Sequence, residues 1–109
     1  RFPVRVYFED TDFSTNVYHA AYLKFFERAR TEYLRAHNIH HAEMAKDGLA
    51  FAVREITVSY DRAAHIDDLL EVETRMTSAT GARFLLDQVM TRDGKVITRA
   101  KVVAVLLNA

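Results

Sequence analysis

The first apolar residues of the chain alternate with polar ones. Val4, Val6 and Phe8 fall at every second position, which is the period of a strand with one buried face. We therefore predict a strand over residues 4–9. This strand is expected to deliver Asp10 and Asp12 at its end.

The pattern then changes to that of an amphipathic helix. Apolar and aromatic residues recur at helical spacing from Tyr22 to Tyr33, and charged residues mark the opposite face. We predict a helix over residues 17–36, roughly 30 Å long at 1.5 Å per residue, with Asn16 as its N-cap. Its broad aromatic side favours packing against a sheet, and the pair His37-Asn38 is predicted to end it.

The rest of the chain is almost entirely β in pattern, after a short second helix predicted over residues 39–46 and a break at Asp47-Gly48. Tight turns are predicted at Thr80-Gly81 and Asp93-Gly94, the second being a strong hairpin signal. The remaining predictions are a strand to Tyr60 with a bulge near Arg54-Glu55, a loop over 61–68, and strands over 70–76, 83–92 and 95–107. Tight turns favour an antiparallel sheet, so we predict an α+β fold with the helix on its concave face.

Composition narrows the range of functions. The 109 residues are half hydrophobic and carry 15 basic and 15 acidic side chains, which fits one domain over residues 1–109 and argues against nucleic acid as a partner. The absence of cysteine excludes disulfides and thiol nucleophiles and fits a reducing compartment, so we expect a cytoplasmic protein. No signal peptide or membrane span is expected, because the longest apolar run, Val102 to Leu107, is far below the roughly 20 residues that a bilayer crossing needs.

The junction between the first strand and the long helix carries the clearest chemical signal. Helix N-termini present unpaired N–H groups and a positive dipole end that stabilise a developing oxyanion. A carboxylate nearby, such as Asp12, can deprotonate water or attack a carbonyl carbon. The neighbouring acidic side chains of Glu9 and Asp10 could also be a solvated strand end, and a metal site built from these carboxylates alone is not favoured.

The histidines differ in what they indicate. His19 lies at the predicted helix start, where it could orient water or simply pack at the helix entrance. His37 and His41 have a spacing that metal ligands use, but histidine near a helix C-terminus is favoured by the helix dipole alone. We therefore expect no metal site and no cofactor, and the aromatic stripe of the helix is interpreted as core.

Three segments of the first third of the chain resemble the YbgC-type branch of the hotdog-fold acyl-CoA thioesterases. They are Arg5-Val6-Tyr7-Phe8-Glu9-Asp10-Thr11-Asp12, Val17-Tyr18-His19-Ala20-Ala21-Tyr22-Leu23 and Phe26-Glu27-Arg28-Ala29-Arg30. The related 4-hydroxybenzoyl-CoA thioesterases share a looser version of these segments. The resemblance to the family spans nearly the whole chain. The resemblance implies a five-stranded antiparallel sheet wrapped around one long central helix. It also implies dimers that join their sheets, usually pairing into tetramers, with active sites at the dimer interface.

The resemblance also implies roles for single residues. Asp12 falls on the catalytic carboxylate of the family, and His19 falls at the helix start that presents a backbone N–H to the thioester carbonyl. Tyr18 is expected to contact the substrate. The chain departs from the family at Phe13-Ser14-Thr15-Asn16, where glycine is common. There Asn16 would tolerate a positive φ, and Phe13 could narrow the acyl entrance.

The implied activity is hydrolysis of the thioester of an acyl-CoA, or of an acyl-carrier protein, to a free acid and a thiol. A hotdog-fold hydratase or dehydratase and a non-catalytic acyl-binding scaffold are the alternatives, and the hydratase motif would need a proline between Asp and His that this chain lacks. The CoA phosphates would be held by basic residues near the mouth of the site. The eligible residues are Arg62, Arg83, Arg92, Lys95 and Arg99.

Overall fold

The computed structural model describes residues 1–108 and contains one five-stranded antiparallel sheet with two helices. The strands lie side by side in the order β1-β3-β4-β5-β2, so the two strands that flank the helices in sequence form opposite edges of the sheet. The predicted α+β fold with an antiparallel sheet is confirmed. The elements are β1 (Phe2–Arg5), a 3₁₀ turn (Phe8–Asp10), α1 (His19–Ala36), α2 (His41–Lys46), β2 (Leu49–Tyr60), β3 (Leu69–Thr80), β4 (Arg83–Arg92) and β5 (Lys95–Asn108).

The first strand is shorter than its alternating pattern predicted. It pairs with β3 from Phe2 to Arg5 and ends there, and the chain then turns into the 3₁₀ segment. The carboxylate of Asp10 accepts the N–H of Tyr7 at 2.9 Å, and the Thr11 hydroxyl donates to the carbonyl of Phe8 at 2.7 Å. Such local side-chain bonds offer the backbone an alternative to the strand ladder. The prediction that a strand end delivers Asp10 and Asp12 is therefore wrong.

The long helix begins two residues later than predicted. Tyr18, with ψ of 135°, is its N-cap, and the prediction of Asn16 in that role is wrong. The reason is that Asn16 forms an isolated antiparallel bridge with His65, which keeps the chain extended up to Tyr18. The predicted end at His37-Asn38 is confirmed, with Asn38 in the left-handed region at φ of 63°.

The bulge in β2 and the turn between β4 and β5 follow the sequence prediction. The register between β2 and β5 shifts between Val53 and Glu55, which confirms the predicted bulge. Asp93 and Gly94 both have positive φ, 53° and 79°, as a two-residue hairpin turn of type I′ requires. Further shifts, at Met76/Ser78 and Met90/Thr91, had no sequence signal.

The core lies between α1 and one face of the sheet. α1 packs against β1 and β3, and its own Phe25 and Phe26 side chains are fully buried. A buried amide also joins the two layers, because Gln88 on β4 donates to the carbonyl of Phe26 and to the Thr74 hydroxyl, both at 2.9 Å. That the sheet wraps around a central helix stays a prediction. Among residues 1–108, no helix is both long and apolar enough to cross a membrane.

Candidate active site

A small β-hairpin connects the 3₁₀ turn to α1 and carries Asp12. Thr11 and Val17 form an antiparallel bridge, and the N–H of Asp12 donates to the carbonyl of Asn16 at 2.9 Å. At the tip, Thr15 has a left-handed φ of 67°, which a β-branched residue rarely adopts. The positive φ thus falls on Thr15 rather than on Asn16 as the sequence suggested.

The carboxylate of Asp12 is held within this hairpin by Ser14. One of its oxygens, Oδ1, accepts the Ser14 hydroxyl at 2.5 Å and the Ser14 N–H at 2.8 Å. The Ser14 hydroxyl, followed by the Ser14 amide, lowers the pKa of Asp12 below its usual value, because both bonds favour the ionised form. The carboxylate is exposed in the single chain and is ionised at neutral pH, which is the state that a general base or nucleophile needs.

The first turn of α1 presents backbone donors next to this hairpin. The N–H of Tyr18 donates to the carbonyl of Asp10, and that of Ala21 donates to the carbonyl of Tyr18. The N–H groups of His19 and Ala20 have no acceptor among residues 1–108. Such N-terminal amides, at the positive end of an 18-residue helix, are suited to bind a negatively charged oxygen.

One open cleft of about 440 Å³ brings the three predicted site residues together, since Asp12, Tyr18 and His19 all line it. The ring centroids of Tyr18 and His19 lie 4.4 Å apart with the ring planes tilted by 42°, and the Tyr60 hydroxyl donates to the carbonyl of His19 at 3.2 Å. Phe13 is fully exposed and does not line the cleft, so in the single chain it does not narrow the entrance. The other lining residues are Asn16, Val17, Tyr22, Tyr60, Asp61, Arg62 and Ala63.

Comparison with known proteins places the chain in a family. The thioesterase-like superfamily model matches residues 6–109. The chain belongs to this superfamily. It is 48% identical to the acyl-CoA thioesterase YbgC of Haemophilus influenzae over 102 residues, which are 93% of this chain and 75% of that protein. It is 41% identical to the acyl-CoA thioester hydrolase YbgC of Escherichia coli over 109 residues, 99% of this chain and 81% of that protein.

A solved structure agrees with these relatives. The crystal structure of a probable thioesterase from Bartonella henselae superposes with a TM-score of 0.93 at 42% identity, covering 98% of this chain and 90% of that chain. The resemblance to YbgC-type, hotdog-fold thioesterases that the sequence indicated is therefore confirmed. The roles of Asp12, His19 and Tyr18 stay predictions.

The remaining histidines of this superfamily member lie apart from the cleft. The Nδ1 of His37 is 2.8 Å from the carbonyl of Tyr33, one turn back in α1, and His41 begins α2. His65 bridges to Asn16 through its backbone. Within residues 1–108, no three His, Asp or Glu side chains gather as a metal site would need.

The five basic residues that were eligible to hold the CoA phosphates differ in their position relative to the cleft. Only Arg62 lines the cleft. Arg92 donates to Asp68 at 2.7 Å and to the carbonyl of Ala63 at 3.0 Å, and Arg99 lies 3.6 Å from Asp61. Arg83 and Lys95 begin strands β4 and β5 and are not part of the cleft wall.

Two contributors to the site were not identified from the sequence. Ser14 could have been found, because an Asp with a Ser two positions later is a common local turn in which the carboxylate accepts the following amide. No local sequence pattern indicated that Tyr60 belongs to the site, because it reaches the carbonyl of His19 from 41 residues away along the chain.

Proposed function

We propose that this chain hydrolyses the thioester of acyl-CoA substrates. One observation carries the proposal: the ionised carboxylate of Asp12 lines the same cleft as His19, at the start of α1, where the amides of His19 and Ala20 have no acceptor among residues 1–108. The names of the YbgC relatives support the same chemistry. A base or nucleophile beside preorganised N–H donors is the minimum that acyl transfer requires.

The reaction needs two functions from these groups. The thioester carbonyl oxygen would lie against the amides of His19 and Ala20, which with the helix dipole stabilise the negative charge that develops on that oxygen. Asp12 would then take a proton from water, whose oxygen bonds to the carbonyl carbon, or would itself attack to give a mixed anhydride that water opens. In both routes the C–S bond breaks, the acid is released, and the thiolate of CoA takes up a proton.

Release of free thiol from a panel of short, long and aromatic acyl-CoAs tests this proposal. Thiol release from at least one member is the expected result, with the Asp12 variant described in the Discussion as control. Absence of thiol from every substrate would contradict the proposal and favour an acyl-binding scaffold. Hydration of an enoyl-CoA without thiol release would favour the hydratase alternative.

Arg62 is proposed to hold the phosphates of CoA, because among the five eligible basic residues it alone lines the cleft. Charge-assisted bonds to phosphate contribute about 1.5–3 kcal/mol. Arg62→Met is therefore expected to raise KM for an acyl-CoA roughly tenfold, with little change in kcat. Hydrolysis of the matching N-acetylcysteamine thioester, which lacks the nucleotide, should stay unchanged.

The matched control for Arg62 is Lys95→Met, which removes a basic residue outside the cleft wall. This variant should leave KM for both thioesters unchanged. If Arg62→Met raised KM equally for the CoA and the N-acetylcysteamine thioester, a role in phosphate binding would be contradicted.

We also propose that two copies join through their β2 strands. β2 is an edge strand of 12 residues, and its side chains include Val53 and Tyr60, which are 48% and 47% exposed. A long edge with apolar side chains favours pairing with another strand. Because Tyr60 also borders the catalytic cleft, a second copy on this edge would cover an otherwise open site.

Light scattering tests the pairing of β2 strands. The chain is expected to have at least twice the mass of one copy, as a dimer or as a tetramer of paired dimers. Val53→Lys places a charge on the edge and is expected to shift the mass towards the monomer. A wild-type chain that stays monomeric at assay concentration would contradict the proposal.

A further inference from the structure

The loop between β2 and β3, residues 61–68, is bonded along its length to the hairpin that carries Asp12. The N–H of Val17 donates to the carbonyl of Ala64 at 2.8 Å, and the N–H of Ile66 donates to the carbonyl of Thr15 at 3.1 Å. Asn16 and His65 form a bridge between these two bonds. The hairpin therefore depends on this loop for its position.

The same loop is bonded to the first turns of α1. The N–H of Ala64, a fully buried residue, donates to the hydroxyl of Tyr22 at 2.9 Å. Tyr22 is itself 3% exposed and lies one turn after His19. The loop thus contacts both parts of the site, the carboxylate hairpin on one side and the helix that supplies the amides on the other.

Arg92, on β4, fixes the loop from the sheet side. Its guanidinium donates through Nη1 to the carbonyl of Ala63 at 3.0 Å and to Oδ2 of Asp68 at 2.7 Å. Oδ2 of Asp68 also accepts the N–H of His65 at 2.9 Å. Both ends of the loop segment 63–68 are therefore held by one guanidinium.

The Arg92–Asp68 pair is better placed than the other ion pairs to hold a structure rigidly. The two side chains are 27% and 24% exposed, whereas those of Arg35 and Glu32 are 53% and 48% exposed. Burial by itself would raise the pKa of Asp68, but the His65 amide and the Arg92 guanidinium together lower it below its usual value. Partly buried, charge-assisted bonds contribute more than exposed pairs, which water and salt screen.

We propose that Arg92 is a positioning residue for thioester hydrolysis: through Ala63 and Asp68 it fixes the loop that aligns the Asp12 hairpin with the first turn of α1. Arg92 does not line the catalytic cleft, so it acts only through the loop. The inference rests on the proposed thioesterase function. The contacts of Arg92 with Ala63 and Asp68 lie on the sheet side of the loop, away from the reacting groups.

Steady-state kinetics of Arg92→Met, with Arg35→Met as control, provide the first test. A misplacement of about 1 Å at a reacting group can cost on the order of 100-fold in rate, so kcat of Arg92→Met is expected to fall about 10- to 100-fold while KM changes less than about threefold. Arg92→Lys keeps a cation that can reach Asp68 and is expected to recover part of kcat. Arg35→Met loses an ion pair on α1 and should keep the wild-type kcat.

A mutant cycle tests whether the effect runs through Asp68. Asp68→Asn should also lower kcat, and the loss in the double variant with Arg92→Met should be smaller than the product of the two single losses, because both substitutions remove the same Arg92–Asp68 bond. All variants are assayed at temperatures where circular dichroism shows them folded. A kcat of Arg92→Met within twofold of wild type, or additive effects in the double variant, would overturn the inference.

Amide hydrogen exchange gives a readout that does not depend on activity. In Arg92→Met the amides of Val17 and Ile66, which bond hairpin to loop, should exchange faster than in wild type and in Arg35→Met, while amides in β4 and β5 stay protected. Unchanged exchange at Val17 and Ile66 would overturn the inference even if the wild type hydrolyses thioesters. A wild-type chain without thioesterase activity would instead contradict the proposed function, and exchange would still report on the loop.

Discussion

Asp12→Asn is expected to lower kcat for acyl-CoA hydrolysis about 1,000-fold, within the range that removal of a general base costs. Asparagine keeps the size of the side chain and can still accept the Ser14 hydroxyl and amide through its oxygen. It can neither take a proton from water nor attack the thioester carbonyl. Because Asp12 is exposed, the fold should be unaffected, and thiol release measured spectrophotometrically gives the rate.

Glu9→Gln is the matched control for this substitution. Glu9 lies in the same acidic segment, is exposed, and makes no side-chain hydrogen bond among residues 1–108. The same carboxylate-to-amide change there should leave kcat unaltered. An Asp12→Asn variant with the activity of the wild type would contradict the role of the Asp12 carboxylate as general base or nucleophile.

The pH dependence of the wild type offers a second view of Asp12. A base acts only when ionised, so the rate falls as pH drops through its pKa. The Ser14 bonds lower the pKa of Asp12, and the acid limb of kcat/KM should accordingly lie below the usual aspartate value of about 3.9. An acid limb well above that value would indicate that another group controls the rate.

Phe26→Ala is expected to lower the free energy of unfolding by about 3–5 kcal/mol, the usual cost of removing a buried aromatic side chain. Phe26 is 0% exposed and lies between α1 and the sheet. The surrounding side chains cannot fully collapse into the space that the ring leaves. Chemical denaturation at one protein concentration measures the change, since association would otherwise alter apparent stability.

Phe8→Ala is the control for the loss of Phe26. Phe8 is 77% exposed, so the same truncation should change stability by no more than about 0.5 kcal/mol. An equal loss in both variants would mean that the core does not lie where α1 meets the sheet.

The fold class followed from local patterns that tertiary contacts reinforce. The alternation in strands β3 to β5, the turn at Asp93-Gly94 and the aromatic stripe of α1 all agree with the packing that the sheet provides. The bulge in β2 was also visible, since the change of phase near Arg54-Glu55 matches a register shift between Val53 and Glu55.

The errors fall in the segment that carries the candidate site. Alternation predicted a strand to residue 9, but the carboxylate of Asp10 caps a 3₁₀ turn instead. Asn16 had the composition of an N-cap, but its backbone pairs with His65 from 49 positions further along the chain. A bond between such distant positions leaves no trace in the local spacing of apolar residues.

Local sequence patterns were enough to predict the order and type of the main elements, the family, and Asp12 as the candidate carboxylate. The groups that join Asp12 at the cleft, the position of Arg62 rather than Arg92 at its border, and the contact of Arg92 with the loop behind it became visible in the folded chain. The physical reason is distance along the chain. Periodicity and capping act over a few residues, whereas the loop 61–68 and Arg92 reach the hairpin through hydrogen bonds that exist only once the sheet has formed.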